Sequence, residues 1–126
     1  MKHVLSLALA ATVCCIGAAA AQPRAVDHVV AVAHPANYQG TCPISVEFTG
    51  TIFVNHPTTV SYRWERSDRA TGRVETVRIN GGGLGVHTQW QLGHRPGVPL
   101  HGSETLHVLS PGDHYSNPAE FTLICR

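Results

Sequence analysis

Between residues 44 and 54 the apolar side chains Ile44, Val46, Phe48, Ile52 and Val54 all fall at even positions, with Ser45, Glu47, Thr49 and Thr51 between them. A two-residue period places the two sets on opposite faces of a strand, whereas a helix would spread the apolar set around its circumference. Gly50 interrupts the apolar face, which predicts a bulge or the close approach of another backbone. The same alternation recurs in shorter segments, and no window holds a 3.6-residue period, so the chain is predicted to be all-β.

The remaining strands follow from the same rule. Residues 26–33 place Val26, His28, Val30 and Val32 on one face, and residues 59–65 turn Val60, Tyr62 and Trp64 inward and Ser61, Arg63 and Glu65 outward. Further strands are expected at 74–79, at 86–92 with Val86, Thr88, Trp90 and Leu92 on one face, and at 104–109 with Leu106 and Val108 in the core. A last strand carries Phe121, Leu123 and Cys125 inward. Turn residues separate them: Pro35, Asn37 and Gly40, then His56-Pro57, the polar hairpin loop Ser67-Asp68-Arg69-Ala70-Thr71-Gly72, Asn80-Gly81, a Pro/Gly-rich loop at 93–102, and Ser110-Pro111-Gly112. About seven strands in about 100 residues fit a two-sheet β-sandwich better than a barrel.

The N-terminus has the three parts of a secretory signal: basic Lys2 and His3, an uncharged apolar run, and the small residues Ala19-Ala20-Ala21. Residues 1–21 are therefore read as a cleaved signal peptide and 22–126 as one domain, secreted or periplasmic. The apolar run falls short of the roughly 20 residues that a membrane span requires, and no second run follows it. Cleavage would remove the single lysine, Cys14 and Cys15. Eight arginines then face eight carboxylates. A near-neutral chain offers no basic patch for nucleic acid or an anionic membrane, and without lysine it excludes Schiff-base chemistry. The two remaining cysteines, Cys42 and Cys125, are expected to pair. In the chain-entropy treatment a bond closing so long a loop stabilises a fold by roughly 4 kcal/mol.

Tyr38-Gln39-Gly40-Thr41-Cys42-Pro43, Phe48-Thr49-Gly50-Thr51-Ile52, Tyr62-Arg63-Trp64-Glu65-Arg66-Ser67-Asp68 and the closing Phe121-Thr122-Leu123-Ile124-Cys125 resemble small secreted bacterial domains with an immunoglobulin-like sandwich and no established activity. That resemblance implies a fold and no catalytic residues. In true immunoglobulin domains the disulfide crosses the core between the second and sixth strands and packs on a tryptophan. Here Cys42 precedes its strand and Cys125 ends the last one, so the bond is expected to act as a clip near one end of the sandwich.

Histidine is the unusual residue, with eight beyond the signal at positions 28, 34, 56, 87, 94, 101, 107 and 114. Imidazole is a common metal ligand, which makes a zinc- or copper-binding periplasmic protein the alternative function, with His101 and His107 as the candidate ligands. No His-x-His or His-x-x-x-His spacing supports it. The absence of a methionine beyond the first residue, together with the pairing of both cysteines, removes the soft ligands that select Cu(I). No cofactor is expected.

Among other motifs, Gly81-Gly82-Gly83-Leu84-Gly85 precedes a strand, so it reads as a hairpin or flexible loop and lacks the helix that a phosphate loop needs. No serine sits in a Gly-x-Ser-x-Gly elbow, so a hydrolase is a third and weaker reading. Glu47, Glu65, Glu75 and Glu104 are expected to face water, and Tyr62, Trp64 and Trp90 to pack in the core. The candidate interaction surface is the mixed-charge hairpin carrying Arg63, Arg66, Arg69 and Arg73, suited to a protein or glycan partner, and no oligomeric state follows from the sequence. The leading function is an exported, non-enzymatic binding module.

Overall fold

A computed structural model describes residues 10–14, 24–93 and 95–126, and the signal segment predicted at 1–21 lies largely outside them. The described residues form nine strands and no helix: β1 (Val26–His34), β2 (Asn37–Gly40), β3 (Ile44–Val54), β4 (Thr58–Arg66), β5 (Glu75–Ile79), β6 (Gly82–Leu92), β7 (Leu100–Ser110), β8 (His114–Tyr115) and β9 (Ala119–Cys125). Two sheets face each other. The smaller runs β1-β3-β6, and the larger runs β2-β9-β7-β4-β5 with β8 paired to β7.

The even residues of β3 are buried as the alternation requires, and Phe48 and Ile52 are fully enclosed. Gly50 is no bulge, because β3 keeps an unbroken register with both neighbours across it. The opposite sheet comes close there. A Cβ on Gly50 would lie 2.9 Å from Trp64 Cη2 and would also strike Leu106. Trp64 packs against Phe48, and Phe121 meets Phe48 and Trp90 edge-on, so aromatic rings from both sheets fill the centre.

The structure corrects several sequence expectations. In β1, Val26, Val29 and Ala31 are buried while Val30 and Val32 are exposed. A register shift between Val26 and His28 adds one residue at Asp27, and one extra residue reverses the face of everything after it. The turn expected around Asn37 and Gly40 is a short strand running parallel to β9. The glycine run 81–85 is no loop, because Gly82 to Gly85 pair with Val54 to Thr51. The loop expected at 93–102 ends early, with β7 starting at Leu100. Asn80-Gly81 joins strands in different sheets, so it is a crossover, whereas 66–75 does link the hairpin partners β4 and β5.

The Cys42–Cys125 bond spans 83 residues with Cα atoms 5.5 Å apart. It lies at one end of the sandwich, where β2 runs beside β9, so it works as the expected clip, while Trp64 packs on Phe48. Gly93 packs on it, since a Cβ there would fall 2.9 Å from Cys42 Sγ. Reduction, or Cys125→Ser, is expected to destabilise the domain by up to about 4 kcal/mol. Calorimetry and amide exchange would show a lower melting temperature with β2 and the end of β9 opening first, and an unchanged melt would deny the bond any role.

Candidate functional site

A two-sheet sandwich that does not close leaves strand edges whose N–H and C=O groups have no ladder partner. In the smaller sheet the two edges are treated differently. On β1, Asn117 donates through Nδ2 to the Ala31 carbonyl at 2.8 Å and accepts the Ala31 N–H at 3.0 Å. One side-chain amide thus replaces a neighbouring strand at that point. The bulge at Asp27 and the side chains of Asp27, His28 and His34 further mark β1 as a protected edge.

The Asn117 bonds also fix which groups of β6 are free. Ala31 directs both backbone groups away from β3, so its opposite residue Gly50 lies in a non-hydrogen-bonded pair on that side and turns its own groups to β6. Gly50 faces Val86, which makes them a bonded pair. By alternation Gly83, Gly85, His87, Gln89 and Gln91 present their N–H and C=O groups to the open side. Among the described residues no backbone bond outside the β3 ladder involves Gly82–Leu92. This eleven-residue strand contains no charged residue, no proline and no bulge.

Beside that edge lies a cavity of about 250 Å³. Tyr62 and Trp64 line it, with Gly72, Arg73 and Glu75 of the hairpin on one side and His87 and Thr88 of β6 on the other. The Trp64 side chain is buried, and its Nε1 has no hydrogen-bond partner. The hairpin is held against β4 by Gly72 N–H to the Trp64 carbonyl at 2.7 Å and Arg66 N–H to the Ala70 carbonyl at 2.8 Å.

The four arginines of the predicted surface do not share one face. Arg63 donates to Glu65 at 2.8 Å on the outer face of the larger sheet. Arg66 lies 4.0 Å over the Trp90 ring and is held by both carboxylate oxygens of Asp68. Arg69 occupies the left-handed region at φ 75°, in the hairpin turn. Arg73 is highly exposed and only loosely paired with Glu75, at 3.8 Å.

The two candidate metal ligands stand at opposite ends of β7, six residues or roughly 20 Å apart, so one ion cannot bridge them. His101 is hydrogen-bonded to Thr122 at 3.1 Å. His107, expected on an exposed face, is only 5% exposed. Its Nδ1 meets Glu65 Oε2 at 2.7 Å, its Nε2 meets Asp113, and its ring stacks on Tyr115 at 3.9 Å. The two carboxylates sit on opposite sides of the ring, so they diverge where metal ligands must converge. Among the described residues no group of three or more such side chains could hold an ion.

Burial alone would lower the His107 pKa. The hydrogen bonds to Asp113 and Glu65 outweigh it and raise the pKa above 6.5, so the imidazolium donates to both. Burial likewise acts to raise Glu65, but His107 and Arg63 bring it below 4.5.

Glu104 departs furthest from its expected solvated state. It is 3% exposed and points with Leu106 into the interior, and its Oε2 has no partner. Burial pushes its pKa up to about 7, against the opposing pull of Arg66. The signal available in sequence was its parity with Leu106 and Val108.

Two pH dependences follow. Glu104 is raised, so the fold loses stability as pH climbs from 4.5 through about 7. Glu104→Gln is expected to melt like the parent at pH 4 and above it at pH 8, and a variant no more stable at pH 8 would show that the carboxyl costs nothing. The His107 tether contributes fully below pH 6.5 and fades as pH rises through its raised value, while Glu65 contributes above pH 4.5 and fades below it. His107→Ala should therefore lower the melting temperature most between about pH 4.5 and 6.5, and a deficit that is flat with pH would remove the ionic tether.

No family model matches the chain, and no curated protein matches it. Among solved structures, the cupredoxin domain of amoB from Nitrosocaldus yellowstonii is similar at 18% identity over 64% of this chain, with a TM-score of 0.35. The match spans 56% of that domain, and so loose an overlap carries no argument about what this chain binds.

Proposed function

We propose that this protein is an exported, non-enzymatic binding module that takes an extended segment of a partner protein as an added strand on β6. The observation that carries the reading is the run of free backbone groups at Gly83, Gly85, His87, Gln89 and Gln91 on a strand with none of the usual protections. Strand addition draws affinity from main-chain hydrogen bonds and specificity from pockets for alternate side chains. The cavity between β6 and the hairpin is such a pocket, with Tyr62 and Trp64 in its lining. Export is supported by the N-terminal pattern and by a disulfide, a bond that persists in oxidising compartments. Within the hairpin surface proposed from sequence, this reading singles out Arg73 as the arginine beside the edge.

The test is selection of binders from a displayed library of extended peptides, followed by Gln89→Pro. Proline removes the outward N–H of residue 89 and leaves the β3 ladder intact, so folding should be retained. The expected result is about a tenfold or greater loss of affinity with unchanged melting, the size expected for a lost charge-free hydrogen bond plus a steric block. Selected peptides that bind Gln89→Pro as well as the parent would place the contact elsewhere and end the proposal.

A further inference from the structure

Resting on the reading that β6 is the contact edge, we propose that in the absence of a partner β6 pairs antiparallel with β6 of a second copy, about a twofold axis at His87. An antiparallel pair is the arrangement in which both copies make the same hydrogen bonds across such an axis, and an isologous contact of this kind closes on itself as a dimer. The outward-facing residues run from Gly83 to Gln91 with His87 at their centre. Centring the axis there matches all of them: His87 opposite His87, Gly85 opposite Gln89, and Gly83 opposite Gln91. An axis shifted to Gly85 or Gln89 leaves outward groups without partners.

The side chains accept this register. Each glutamine comes to lie opposite a glycine: Gln89 meets Gly85, where a Cβ would find nothing nearer than 3.9 Å, and Gln91 meets Gly83, whose flank is covered by Phe53 of its own copy. No charged residue of β6 opposes another, because the strand has none. Arg73 and Glu75 share the cavity wall with His87 and so carry charge beside the axis. A twofold axis brings the Arg73 of one copy towards the Glu75 of the second, and the other way round. Their own pairing at 3.8 Å is loose, and both side chains are exposed, so they are free to exchange partners. The joined sheet is β1-β3-β6 continued by β6-β3-β1, which covers the edge of the smaller sheet that lacks protection among the described residues.

Sedimentation equilibrium of the purified protein at neutral pH, up to about 1 mM, tests this. The expected result is a monomer–dimer equilibrium whose Kd rises at least about tenfold in Gln89→Pro and in Arg73→Glu, with recovery in the charge-swapped pair Arg73→Glu/Glu75→Arg. A strictly monomeric protein, or a dimer with an unaltered Kd in Gln89→Pro, overturns the proposal. The two readings fail separately: a monomer that still loses its selected peptides on Gln89→Pro keeps strand addition and loses only the second copy as occupant.

Discussion

Every backbone N–H and C=O in a β-sandwich needs a partner, and at the rim of an open sheet the fold cannot supply one from its own ladder. This chain meets that demand with different devices. β2 spans four residues beside the disulfide, and β5 spans five and carries Glu75 and Arg78. β1 is long enough to be a hazard, and there the Asn117 amide imitates a passing peptide group at Ala31. Ser116 secures that arrangement, because its hydroxyl accepts the Leu106 N–H and donates to the Asn117 carbonyl. The segment that follows the small strand β8 thus serves as the mount for a plug. Among the described residues β6 has nothing equivalent.

The centre of the fold was legible because its periodicity is undisturbed. In β3 the inward residues fall at every second position, with Gly50 the one gap between Phe48 and Ile52, and both neighbours pair with it without a slip over the central residues. Legibility failed where one residue changed the phase. The extra residue at Asp27 carries no sequence mark that separates it from an ordinary strand position, yet it sends Val30 and Val32 to water and Ala31 inward. The glycines of β6 failed for a related reason. Glycine weakens a strand on local propensity, and Gly82 takes a left-handed φ of 66°, so only pairing with the long, well-packed β3 brings Gly82 to Gly85 into the sheet. Phe53 covers Gly83 from that side, with His28 stacked on Phe53 at 4.3 Å, so the bare backbone is sheltered on its β3 flank.

The ionisable groups were misread because their partners are distant in sequence. Glu65 and His107 stand 42 residues apart and meet only because β4 and β7 are neighbours in this register. In that cluster each charge has an opposite: Arg63 with Glu65, and the imidazolium with Asp113. Glu104, one position from Thr105 and so on the opposite, inner face, has no such answer. Its neighbour Arg66 is already committed to Asp68 and to the Trp90 ring, so burial decides and the carboxyl holds its proton up to about pH 7. A carboxyl kept neutral avoids leaving an unpaired charge in the core.

The same committed arginine explains why the hairpin and the β6 edge belong to one surface. With Arg66 fixed over Trp90, near the C-terminal end of β6, and the loop pinned to β4 through Gly72 and Ala70, the hairpin cannot swing across β6 to cover it. The gap between them therefore persists as a cavity floored by Tyr62 and Trp64. An edge strand is recognisable only by what fails to lie beside it, so neither composition nor periodicity could have located this one. What sequence does show, once the topology is known, is the absence of lysine, proline and carboxylate from Gly82–Leu92. A chain that plugs one edge with a dedicated asparagine and shortens two others has the means to protect a fourth. Leaving that strand long, continuous and uncharged is the arrangement expected of an edge that another strand occupies.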